Sequence, residues 1–260
     1  MRSEMLILRK SRWFLSAVVI LPAIATFLVM KSAQSFFQSE HFASDMPVYL
    51  AQTCSQIVFP ILFASASFGT FFFALKGFFD INTERTRGIL QLKLLKDNAF
   101  AICTRRVGSI SVMSFLVSLA AIVFGVAAQL ISNLVWPNYS RRLFLKSGAL
   151  KVYAFFVASV VLLDVTLYVV GMIVGIAIRN RIIGVAVIIA LLLMVVNKSY
   201  LVRGTFCLYS GEAVFFVSDP KTPLSGMKES VKWILEILTC LCGCVLASVL
   251  LAEKRIGYES

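Results

Sequence analysis

The sequence predicts an all-α, polytopic membrane protein: one transmembrane domain over 1–260, with six membrane-spanning helices and a short amphipathic helix on the inner face. Composition points there first. The chain has 260 residues, 59% hydrophobic and 15% charged, whereas soluble domains hold about 45–50% apolar and about 25% charged residues. Its mean hydropathy is +0.89, which leaves too few polar side chains to coat a water-facing surface. The distribution of charge points the same way, because the charged residues punctuate apolar runs that meet or approach the roughly 17–25 residues a helix needs to cross the hydrocarbon core. A water-soluble globular enzyme is not expected from such a chain.

The spans follow in order. The first, 13–30, begins at Trp13 behind Arg9, Lys10 and Arg12; it exceeds a signal-peptide h-region and precedes no small-x-small cleavage pattern, so it is expected to be retained. The second is placed at 53–77 and the third at 108–135, each inside an apolar run longer than one span. The fourth, 152–178, is interrupted only by Asp164, the fifth, 182–197, is short, and the sixth, 233–252, contains Glu236. Trp13, Trp136 and Trp233 fall at expected span ends, where an indole prefers the interface. The segment 198–232, with Gly204, Gly211, Pro220, Pro223 and Gly226, is not expected to be a further straight span.

Lys and Arg outnumber Asp and Glu by 25 to 13. On this background the excess is expected in loops that meet anionic lipid, with no nucleic-acid partner. An even number of spans puts both termini on one side. Placing them in the cytoplasm gathers the larger share of the basic residues inside, from Arg9, Lys10 and Arg12 to Arg85, Arg87, Arg105, Arg106, Arg179 and Arg181, although Arg141, Arg142, Lys146 and Lys151 then lie outside.

The segment from Asp80 to Val107 reads as an inner loop that turns amphipathic after Gly88: Ile89, Leu92 and Leu95 recur every three residues between Gln91, Lys93 and Lys96. A short surface helix is expected there. Flanked by Glu84, Arg85 and Arg87, it offers both an apolar ridge and charge to a partner protein, or else a basic face to lipid headgroups.

Catalytic constellations are hard to find. The one histidine, His41, has no evident nucleophile partner, and neither HExxH nor a dinucleotide fingerprint occurs. Six cysteines include Cys240, Cys242 and Cys244, of which the first and last share a helix face while the middle one points away, so no metal site is expected. GxxxxGK[ST] is missing as well, so no ATP cofactor is expected in this chain and any ATP-driven work falls to a partner. Within the spans, Asp164 and Glu236 are candidates for a substrate pathway, because intramembrane acids face protein or water. Asp164, Tyr168, Gly171 and Gly175 share one helical stripe, and Gly171 with Gly175 forms a GxxxG surface for close helix packing.

Six spans, a basic N-terminus and the loop Glu84-Arg85-Thr86-Arg87-Gly88-Ile89-Leu90-Gln91-Leu92-Lys93-Leu94-Leu95 resemble the ABC-2 type permease subunits of ABC transporters. The likeness covers the chain by layout and rests on this one short motif, in which Glu84, Arg85, Gly88, Leu92 and Leu95 match while Asp97-Asn98 stand where the family has a proline. It implies that this loop is a coupling helix docking on cytoplasmic ATP-binding subunits, that a second permease subunit, identical or similar, completes the pathway, and that the assembly lies in a bacterial cell membrane. Compact members of the family often export, or protect against, amphipathic peptides such as lantibiotics. The alternative from the residues alone is a channel-like or structural membrane subunit that uses no ATP.

Overall fold

A computed structural model describes residues 16–37, 58–135, 149–196 and 223–256. Among the described residues every regular element is helical. A π-helical turn, Ser16–Ile20, leads into α1 (Leu21–Phe37), followed by α2 (Val58–Thr86), α3 (Ile89–Lys96), α4 (Ala99–Val135), α5 (Ala149–Ala177), α6 (Arg181–Val196) and α7 (Pro223–Ile256). The expected interfacial Trp13 and Trp136, together with His41 and the basic cluster Arg141, Arg142 and Lys146, lie outside the described residues.

Among the described residues, two segments are long and apolar enough to cross a membrane, Ala99–Ile131 in α4 and Val157–Ala177 in α5, each with a window of mean hydropathy 2.4. Ala17–Lys31, Arg181–Leu193 and Leu238–Ala252 are shorter apolar helices. This is a narrower result than the six spans expected from the sequence. In α2 the charged residues Lys76, Asp80, Glu84 and Arg85 are confined to the second half, and Val58 to Leu75 carries none.

The segment expected to be an inner loop, 80–107, is instead largely helical. α2 runs on past Leu75 to Thr86 and α4 already starts at Ala99, so only Arg87–Gly88 and Asp97–Asn98 interrupt the helix. Paired charges permit the extension: Lys76 Nζ donates to both carboxylate oxygens of Asp80 one turn on, at 3.0 and 2.7 Å.

Contacts fix the directions of the helices. Gly69 faces Asp164 and Gly175 faces Phe78, so α2 and α5 run parallel. α4 opposes both, with Gly125 against Val58 at one end and Arg106 bonded to Glu84 at the other. α1 runs with α4: Ala17 joins the cluster of Phe73, Ile81 and Ile176, while Val29 and Met30 pack on Ile61 and Ala128. α6 turns back from α5 after three residues, and α7 brings Ser248 and Ala252 to the end where Cys103 and Ala99 lie. Consecutive long helices therefore alternate in direction, and the short α3 sits at one end of the bundle. The main core, between Phe73, Met113, Val169 and Met172, lies towards this α3 end.

α2 and α5 make the closest crossing. A Cβ on Gly77 would overlap the carbonyl oxygen of Tyr168, and one on Gly171 would overlap that of Ala74. Gly175 adds a third close approach, where a Cβ would lie 3.0 Å from the Phe78 carbonyl oxygen. The GxxxG stripe read from the sequence is thus a packing surface, and its counterpart is Gly77, which sequence reasoning missed because one glycine in an apolar run has no pattern around it.

Candidate functional site

Gly88 makes the corner on which α3 depends. Its φ of 70° is left-handed, the conformation that costs an L-residue about 1–2 kcal/mol and glycine little. The corner keeps its backbone bonded: Gly88 N–H donates to the Arg85 carbonyl at 3.1 Å, and Leu92 N–H donates to the Gly88 carbonyl at 3.3 Å. α3 ends without a proline. Asp97 is extended, its N–H bonds to the Lys93 carbonyl at 2.8 Å, and Asn98 caps α4 by accepting from Phe100 N–H at 3.1 Å. Arg105, one turn into α4, holds Asp97 at 2.7 Å.

α3 is apolar on two sides. Leu90, buried, and Leu94, partly buried, turn into the bundle, whereas Leu92 is 67% and Leu95 83% exposed. Ile89 lies between the two sides at 37% exposure, and Phe100 at the start of α4 adds another exposed ring. Arg87 and Lys96 are exposed beside this outer ridge. Unlike a surface amphipath with one apolar stripe, the helix is fastened by one face and presents the other.

The two charges expected to flank a docking surface, Glu84 and Arg85, both turn inward. Glu84 Oε1 accepts from Lys93 of α3 at 2.8 Å, while its Oε2 accepts from Arg106 of α4. Arg106 is buried, so its guanidinium depends on protein for hydrogen bonds. Arg85 Nη1 donates to the Ile176 carbonyl at 2.7 Å, and Asn82 Nδ2 donates to the carbonyls of Ile178 and Arg179 at 3.4 and 3.0 Å. These carbonyls belong to the last turn of α5 and the corner after it, where helix oxygens lose their partners and the macrodipole is negative. Asn82 Oδ1 in turn accepts from Arg181 Nε at 3.2 Å, and Asn180 caps α6 by accepting from Ile182 and Ile183 N–H at 2.9 and 3.4 Å.

Deeper in the same layer, the buried Tyr168 hydroxyl donates to Asp80 at 3.1 Å, beside the Lys76–Asp80 pair. A small apolar cavity adjoins Arg106, between Ile81, Leu90, Met172 and Ala252, and there the Cys103 thiol lies 3.5 Å from the Ser248 hydroxyl. Asn82, Lys93, Arg106 and the Tyr168–Asp80 bond were not singled out from the sequence. The signal that could have found them is chemical type: each is a polar residue set within or against an apolar run, where an unpartnered group is costly.

Asp164 faces protein. It is buried where α2, α4 and α5 meet, one carboxylate oxygen accepting from Ser114 at 2.6 Å and the other, Oδ1, without a hydrogen-bond partner among the described residues. Gly69 makes room for it, since a Cβ there would stand 3.6 Å from the carboxylate. Glu236 belongs to α7, and its side chain lies outside the described residues. In α7, Cys242 is exposed while Cys240 and Cys244 are partly buried, and all three are free thiols. The chain matches no protein-family model and no curated protein.

Proposed function

We propose that the chain is the permease subunit of an ATP-driven exporter of the ABC-2 type. Six helices cross the membrane in this reading: α1 with its π-helical turn, α2, α4, α5, α6 and α7. The α3 end and both termini lie in the cytoplasm of a bacterial cell, and a second permease subunit completes the pathway. ATP is bound by a separate cytoplasmic subunit that docks on α3. The observation that carries the reading is the form of α3, a short helix anchored in the bundle through Leu90 and Lys93 while Leu92 and Leu95 stand exposed. The alternating helix directions support it, since they return the chain to the α3 end after every second long helix. Arg87 and Lys96 suit a partner groove that is apolar with an acidic rim. An amphipathic peptide is the proposed cargo, supported by the family resemblance alone.

Docking through this ridge sets an expected result. Burying an exposed leucine is worth about 1.5–3 kcal/mol, so Leu92→Asp and Leu95→Asp should each weaken co-purification of the ATP-binding chain by at least about tenfold. Neither should lower the yield of folded permease, because both side chains point away from the bundle. Full retention of that chain by both variants would remove α3 as the docking site. Failure of the unmodified protein to co-purify with any P-loop chain would remove the transporter reading itself.

Orientation is tested separately. In a cysteine-free background, Gln91→Cys should resist a membrane-impermeant maleimide in intact cells, and Ser39→Cys should react. The opposite pattern would invert the topology.

A further inference from the structure

We infer that Glu84 is a side-chain joint that, beside the two-residue backbone links at either end of α3, carries movement of α3 to the long helices, and not a contact to the ATP-binding subunit. This rests on the reading of α3 as the docking helix. The carboxylate has two oxygens and each is held by a cation from a different element, Lys93 of α3 on Oε1 and Arg106 of α4 on Oε2. Both oxygens are thus engaged within the bundle. The pairings also differ in access to water, with the Lys93 side chain 36% exposed and that of Arg106 only 5%.

The Arg106 side is consequently the fixed one. Its cation has little water to replace Glu84, so the pair stays closed, and surrounding α4 residues Ile102, Cys103 and Ile110 are buried with it. Lys93 is the adjustable side. A push on Leu92 and Leu95 displaces α3, Lys93 draws Glu84 with it, and Glu84 carries Arg106 and hence α4. Leu90 packs between the same elements and gives α3 an apolar bearing. Glu84 and Lys93 are positioning residues, since neither need touch cargo or nucleotide.

Cutting the joint at Lys93 leaves Glu84 paired with Arg106, so the fold is kept. The assembly of permease and ATP-binding subunits is reconstituted in lipid nanodiscs with an environment-sensitive fluorophore on Leu134→Cys, at the other end of α4, where the side chain is exposed. Trapping with ATP and vanadate should change the emission. Lys93→Met should reduce that change at least about fivefold while the ATP-binding chain still co-purifies fully, and Lys93→Arg should restore it to within about twofold. A signal unaltered by Lys93→Met, or no signal even without the substitution, would overturn the joint. Loss of the ATP-binding chain from the Lys93→Met protein would overturn it as well, by showing that this region is itself a docking contact. If no ATP-binding chain accompanies the unmodified permease, the docking reading fails instead.

Discussion

Gly77→Ala and Gly171→Ala are each expected to collapse the yield of monodisperse protein in mild detergent and to lower its unfolding midpoint, although the same exchange strengthens an ordinary helix. Alanine in place of glycine gains about 0.8–1 kcal/mol of helix propensity. Against this, the new methyl at position 77 would occupy the space of the Tyr168 carbonyl oxygen, and at position 171 that of the Ala74 carbonyl oxygen. A flexible side chain could swing aside, but a backbone oxygen inside a helix cannot. The helices must separate, and overpacking of even a compliant core costs about 1–3 kcal/mol and occasionally more. The clash therefore outweighs the propensity gain. Gly243→Ala in α7 is the control, because a Cβ there meets nothing within 4 Å among the described residues; it should match or exceed the starting protein. Equal behaviour of all three variants would mean that α2 and α5 do not cross at these glycines.

Ser114→Ala is expected to harm assembly more than Asp164→Asn does. Among the described residues the serine hydroxyl is the hydrogen-bond donor to Asp164, at 2.6 Å, and the other carboxylate oxygen has none. Without Ser114 the buried carboxyl stands alone, and stranding one partner of a buried bond costs about 1–3 kcal/mol, more where charge is involved. Asparagine keeps an acceptor for Ser114 and removes the charge, so Asp164→Asn should assemble and transport. Asp164→Leu should lower assembly, whereas Ser114→Ala combined with Asp164→Leu should recover much of the loss caused by Ser114→Ala alone, since removing both partners leaves nothing stranded. Yields and unfolding midpoints of the four variants complete the cycle. An Asp164→Asn protein that assembles with its partners yet transports nothing would place this acid on the cargo's path instead of in a helix contact.

Where the fold was legible, one physical rule was enough. Long uncharged runs become helices, and this placed α5 and α6 close to their observed extents and the far end of α4 at Val135, as glycines at positions 171 and 175 placed a packing face. Gly88 was legible as the point where the segment turns amphipathic, while its left-handed conformation shows only in the structure. The far end of α2 was not. Asp80 and Glu84 read as the onset of a loop because charge ends a span, and their partners Tyr168 and Arg106 are distant in sequence. The same distance hid the inward turn of Arg85, whose acceptor is a backbone oxygen 91 residues away. Residue spacing reports periodicity along one helix, while pairing across helices becomes visible only once the helices are placed.

The corner after α5 limits how this bundle can move. Three residues, 178–180, join Ala177 to Arg181, and a chain that short reaches only roughly 10–14 Å when fully stretched. Asn180 already fastens one side of it to α6, while Asn82 and Arg85 fasten the other to α2. The ends of α5 and α6 are thus on a leash with almost no slack. α6 is free to tilt about this corner but not to drift from it, so any parting of α6 from α5 must open like a pair of shears, narrow at the α3 end and broad at the opposite one.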